Sequence, residues 1–132
     1  WDAEHFADVC DRLVDGGLQV ALIGTMEETE RVETVLRAMK KPGAAASLAG
    51  KTTVPVLAAI FSRCAVFAGN DSGPMHLAAA MGAPVAAVFV TGDPRVWAPW
   101  TPPRRKRLFT LADATPGGVA DAALTLAGDA IR

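Results

Sequence analysis

The sequence predicts a three-layer α/β domain, a parallel sheet covered by helices on both faces. Three observations carry that prediction. Apolar runs of strand length alternate with segments of helical periodicity along the chain. Val85 to Val90 is uninterrupted and apolar, the pattern of a strand buried on both sides. Alanine also makes up much of a composition that is 51% hydrophobic, which suits helices packed closely on a sheet. At 132 residues the chain fits a single domain, 1–132, with enough apolar content for a real core.

The elements follow in order. From Asp2 to Asp15, Phe6, Val9, Cys10, Leu13 and Val14 form one apolar helical stripe, with Asp2 as N-cap and Gly16-Gly17 as stop. Leu18 to Ile23 reads as a buried strand. Glu27 to Lys40 reads as a helix with an acidic first turn and a basic end, closed by Pro42-Gly43. Ala45 to Ala49 is a short strand, and Val54 to Ser62 a helix with Pro55 in its first turn. Ala65 to Gly69 is a strand, Gly73 to Met81 a helix and Val85 to Val90 a strand. Arg107 to Leu111 is a last strand, and after a turn at Pro116-Gly117 the chain closes in a helix from Gly118 to Ile131. A doubly wound domain normally begins with a strand, whereas this chain begins with a helix. Either a first strand lies upstream of Trp1 or the sheet lacks an edge, and an open edge would favour self-association.

Several function classes are excluded. The formal net charge of −1 gives no basic surface for nucleic acid, and with no tyrosine and three tryptophans there is no base-stacking platform. No stretch approaches the roughly 18 apolar residues of a membrane span. Cys10 and Cys64 form no CxxC pair and read as buried, reduced thiols of a cytoplasmic protein. Two histidines with no HExxH predict no metal site, and neither a P-loop nor a GxGxxG motif is present. Ser72 is not a nucleophile elbow, because Asn70 and Pro74 stand where glycines are required.

The informative segment is Gly69-Asn70-Asp71-Ser72-Gly73-Pro74-Met75-His76. A strand ends, small polar residues turn the chain, and a helix begins with Ser72 or Asp71 able to cap it. The crevice beyond a strand's carboxyl end is where open α/β sheets bind ligands. Free N–H groups at the positive end of a helix dipole suit phosphate, and His76 lies one turn on, on the face of Ser72. A purely structural reading stands beside this one, since capped strand–turn–helix junctions occur throughout α/β proteins.

Asn70 to Val85, with its Asp-Ser-Gly-Pro-Met-His-Leu-Ala-Ala-Ala-Met-Gly-Ala-Pro run, resembles the signature of the heptosyltransferase-type glycosyltransferases, glycosyltransferase family 9. Trp1 to Phe6, Leu22-Ile23-Gly24 with Glu27-Glu28, Leu48 to Thr52, and Asp93-Pro94 with Trp97-Ala98-Pro99 are similar in order, so the resemblance covers nearly the whole chain. It implies the C-terminal, Rossmann-like half of a GT-B enzyme that transfers a sugar, heptose from ADP-heptose, to a lipopolysaccharide-core acceptor without a metal or other cofactor. It further implies diphosphate binding by Ser72, Gly73, Met75 and His76, with Pro74 contributing shape only and Asp71 facing the donor sugar. Glu28 would meet the ribose hydroxyls, and Lys51 and Thr52 would border the base. No catalytic residue is expected here, because the family's base lies in the N-terminal domain, which also meets the lipid-linked acceptor; alone, this piece would be inactive. A first strand and a phosphate-binding lysine would precede Trp1. Phe89-Val90-Thr91-Gly92 departs from the family's Phe-Gly-Pro-Thr, and Thr53 stands where leucine is common.

The remaining residues carry structural readings. Glu27, Glu28 and Glu30 would favour any helix N-terminus, and Lys51 suits a solvated loop. Trp97 and Trp100 either plug the sheet's edge or border an acceptor cleft, and plugging is the favoured expectation. Arg104-Arg105-Lys106-Arg107 reads as solvated surface or as a contact with an anionic membrane at the inner face of the inner membrane. The competing functions are another nucleotide-sugar enzyme, such as an epimerase, and a non-catalytic partner-binding module.

Overall fold

The computed structural model describes residues 1–131. Its elements are α1 (Ala3–Asp15), β1 (Val20–Leu22), α2 (Thr29–Ala38), β2 (Ala45–Ser47), α3 (Val54–Phe61), β3 (Phe67–Asn70), α4 (Gly73–Ala80), β4 (Val85–Phe89), α5 (Pro94–Trp97), β5 (Lys106–Thr110) and α6 (Pro116–Ile131), with 3-10 turns at Pro42–Ala44 and Pro103–Arg105. All strand pairs are parallel.

The three layers follow from the period of two along β4. Val85, Ala87 and Phe89 face one cluster with Phe61, Phe67, Met75 and Ala78 beneath α3 and α4. Ala86 and Val88 face the other, with Val9, Leu13, Val119 and Ala120 from α1 and α6. All five β4 residues are buried, as the uninterrupted apolar run predicts. A third cluster of Ala7, Cys10, Val35 and Met39 joins α1 to α2. Buried Asp11 fixes that joint by accepting the amides of Lys40 and Lys41 at 2.8 and 3.0 Å.

The sheet differs from the expectation in one respect that matters. It is two hydrogen-bonded units, β1 with β2 and β3 with β4 and β5, rather than one continuous sheet. The interruption lies between β1 and β3 and not at an outer edge. Val20 on one side and Val66 and Ala68 on the other pack on the same core cluster, so both units share one interior. β1, with a partner on one side only, is no more than half-buried and exposes Ala21.

Local departures have local causes. The second helix begins at Thr29 instead of Glu27, because Glu28 Oε2 accepts the Thr25 amide at 2.8 Å and closes a turn there. The last helix begins at Pro116, which needs no N–H in a first turn, and Thr115 Oγ1 caps it by accepting from Gly118 N at 3.0 Å. The short α5 has no counterpart in the sequence reading; Asp93 caps it by accepting the Arg95 amide at 2.8 Å. Trp97 and Trp100 plug nothing: they are 58% and 100% exposed, and Pro99 between them is the buried residue. In the basic run, Arg105 donates to the Gly82 carbonyl and Lys106 Nζ to that of Pro99 at 3.0 Å, so these two side chains staple loops. Cys10 is buried, and burial with Asp11 alongside pushes its thiol up to about 11; Cys64 is only half-buried, its thiol raised chiefly by burial.

Candidate functional site

The site residues lie on the turns and the helix start that follow the carboxyl ends of parallel strands, in two groups. Glu28, Lys51 and Thr52 follow β1 and β2, and Asp71, Ser72, Gly73, Met75 and His76 follow β3. In the first group the loops touch, since Gly50 N donates to Gly24 O at 2.9 Å. One Glu28 oxygen is occupied by Thr25 N, and Lys51 Nζ turns back to Ser47 O at 3.1 Å, so only part of each charge is free for a ligand.

The second group is built on the end of β3. Asp71 N donates to Val88 O at 3.1 Å, which holds the turn to β4. Ser72 occupies the N-cap position of α4 with extended backbone, yet its hydroxyl donates to Asn70 O at 3.1 Å and caps no helix amide. The expectation that Ser72 or Asp71 caps this helix is therefore corrected. Its consequence is that, among the described residues, the amides of Gly73 and Met75 have no partner. The Met75 side chain is fully buried, which anchors the turn while its backbone serves the helix end. Gly73 has open space where a side chain would stand, and its φ is not in the left-handed region, so neither packing nor conformation demands glycine.

His76 is exposed, with Nε2 4.0 Å from Asp71 Oδ1. The Asp71 carboxylate is 23% exposed and accepts no hydrogen bond from any described residue. Asn70 Oδ1 next to it is buried and without a donor. Two free amides and an imidazole thus face an open helix end, with unsatisfied acceptors alongside, an arrangement suited to an anion joined to a hydroxyl-rich group. Among the described residues no group of three or more His, Cys, Asp or Glu is placed to hold a metal, and no helix is long and apolar enough to cross a membrane.

The sequence reading missed two features. Gly92, in the loop after β4, packs directly on the Asp71 carboxylate. Exposed Met26, Val54, Val56, Val90, Val96, Trp97 and Leu111 fall in segments that directly follow strand ends, on the side of the candidate site, whereas exposed Met81 lies at the other end of α4. Exposed large side chains were visible as residue types, but only the topology collects them on one side.

The profile of glycosyltransferase family 9 (heptosyltransferase) matches residues 1–113. The chain belongs to glycosyltransferase family 9. Among similar proteins of the family, lipopolysaccharide heptosyltransferase 3 of Escherichia coli K12 is 38% identical over 104 residues, which are 76% of this chain and 30% of that protein. Lipopolysaccharide heptosyltransferase 2 of the same strain is 32% identical over 105 residues, 78% of this chain and 29% of that protein. The solved ADP-heptose lps heptosyltransferase II of E. coli superposes with a TM-score of 0.89 at 26% identity, over 100% of this chain and 43% of that one. A family 9 structure from Veillonella parvula superposes with a TM-score of 0.86, also at 26% identity, over 98% of this chain and 42% of that one. The chain therefore spans about 30% of the length of the curated relatives it matches. The likeness bears out the α/β fold class and the family resemblance.

Proposed function

We propose that this chain is the donor-binding half of a heptosyltransferase, and that ADP-heptose lies across the carboxyl ends of its strands. The observation that carries the reading is the uncapped start of α4, where the Gly73 and Met75 amides are free beside His76. The diphosphate takes those amides and His76, with Ser72 shaping the turn. The Asp71 carboxylate accepts from sugar hydroxyls, the free Glu28 oxygen from the ribose, and Lys51 and Thr52 border the base. In transfer, an acceptor hydroxyl oxygen of the lipopolysaccharide core bonds to the anomeric carbon as the bond to the β-phosphate oxygen breaks. The electron pair leaves on ADP, and the hydroxyl proton passes to a base in an N-terminal domain. Negative charge grows on the β-phosphate during that step, so the helix end and His76 bind the transition state more strongly than the donor, and no metal is required.

Three structural observations support the rest of the reading. The exposed apolar residues beyond the strand ends are a face for a second domain that closes over the nucleotide and carries the lipid-linked acceptor. The interruption between β1 and β3 has the place of one more parallel strand. A strand feeding α1 pairs beside β1 by a right-handed crossover; β2 already occupies one edge of β1, leaving only the edge toward β3. Arg104 and Arg107, the exposed ends of the basic run whose middle residues staple loops, favour work at an anionic membrane surface, the cytoplasmic face where the lipid-linked acceptor resides. The test is His76→Ala in the intact enzyme with ADP-heptose. Loss of one donor to the developing charge lowers kcat by about 10²–10³, whereas an unchanged kcat contradicts the assignment.

A further inference from the structure

We infer that Trp100 is an anchor by which the protein docks on an anionic phospholipid bilayer, with Arg104 and Arg107 flanking it. The inference rests on the reading above, which supplies the lipid-linked acceptor, and deepens it: the two arginines provide attraction, and Trp100 fixes where the protein seats. A tryptophan side chain offers about 150–250 Å² of surface, and Trp100 is 100% exposed. That exposure is built into the fold. Pro99, directly before it, is buried. Pro99 O accepts from Thr101 N at 2.9 Å and from Lys106 Nζ at 3.0 Å. Arg105 donates to the Gly82 carbonyl, and Pro102 and Pro103 stiffen the chain between. The turn is pinned on both sides of Trp100, so the ring is presented without the ordering cost that a loose loop would add on binding.

Place and charge say what covers this ring. Trp100 lies between α5 and β5, where the chain returns from the carboxyl ends of the strands to the amino end of β5. β5 pairs with β4 alone and is the outer strand of its sheet. A second domain closing over the carboxyl ends therefore does not account for Trp100, and docking at this corner leaves the nucleotide side open. Arg104 and Arg107 are exposed, and among the described residues neither pairs with a carboxylate. Asp129 lines a small cavity with Arg104 and Arg105 but is within ion-pair distance of neither. An exposed indole beside unpaired arginines matches a bilayer interface, where tryptophan sits at headgroup level and arginine reaches lipid phosphates.

The experiment is co-sedimentation of the chain with vesicles of phosphatidylcholine alone and of equimolar phosphatidylcholine and phosphatidylglycerol. Wild type is expected to partition onto the anionic vesicles in preference to the neutral ones, and less at high salt. Trp100→Ala lowers that partition by about tenfold, the scale of burying part of an indole. Arg104→Gln and Arg107→Gln each lower it by about fivefold. Melting temperatures stay unchanged, since these side chains stand in solvent. Arg31→Gln, which removes an exposed arginine on α2, leaves partition as it was. Equal partition onto both kinds of vesicle, undiminished partition of Trp100→Ala, or an equal loss in Arg31→Gln overturns the proposal. Self-association that depends on Trp100, without vesicle binding, overturns it in favour of a protein contact. No arm uses nucleotide, so the two readings fail separately. ADP binding without vesicle binding removes the docking face alone, and vesicle binding without ADP binding counts only against the donor site.

Discussion

Gly73→Ala separates a ligand role from a structural one more sharply than any other change in the site. Gly73 is the first residue of α4, its φ is outside the left-handed region, and a Cβ there meets nothing within 4 Å. Alanine narrows the unfolded ensemble, so the ligand-free chain gains about 0.4–1 kcal/mol. With an unfolding entropy near 2.1 cal/mol/K per residue over 132 residues, that corresponds to a rise of about 1–4 °C in Tm. The same methyl group fills the approach to the free amides of Gly73 and Met75. Losing one charge-assisted hydrogen bond there removes about 1.5–3 kcal/mol of binding, roughly tenfold to a hundredfold in Kd for ADP. Thermal melts without nucleotide, paired with calorimetric titration of ADP, read both effects on one sample. A fall in Tm of several degrees would make Gly73 a folding requirement, and an unchanged Kd would remove the phosphate from this helix end; either refutes the reasoning.

Three further predictions concern the scaffold. Asp11→Ala leaves the Lys40 and Lys41 amides without their carboxylate and should destabilise the chain by about 2–3 kcal/mol in urea unfolding. Cys10, with its thiol pushed up to about 11 by burial, should resist alkylation at pH 8 in the folded chain, with Cys64 modified first; mass spectrometry of the labelled peptides checks the order. The Asp113 carboxyl is held below its ordinary value by hydrogen bonds from the Thr110 hydroxyl and amide, so its contribution is complete above the unfolded carboxylate pKa and is lost as pH falls through the lower folded one. Thr110→Val should raise that pKa, and an NMR titration in which Asp113 keeps its low value would contradict the assignment.

Much of the fold was legible because its signals are local. The apolar run of β4, the stripe of α1 and the Asp71-Ser72-Gly73-Pro74 turn each declare themselves within a few residues. What was not legible depends on approach between distant segments. The interruption between β1 and β3 is a matter of sheet order, which no run of residue types encodes. Glu28 reads as a first-turn acid, but its carboxylate bonds a turn amide outside the helix. Ser72 has the residue type of a cap, yet its hydroxyl faces Asn70, and this frees the amides on which the site depends. Gly92 looks like any loop glycine until the carboxylate packed against it is seen. Trp97 and Trp100 read as plugs because tryptophan usually buries, whereas here both are exposed.

The account's central claim, a nucleoside diphosphate held at the start of α4, is tested most directly by calorimetric titration of the chain with ADP, GDP and UDP, repeated on His76→Ala. Saturable binding of ADP, weaker for the other two nucleotides and lost in the variant, is the predicted result. Absence of binding, or binding that His76→Ala leaves unchanged, would contradict it.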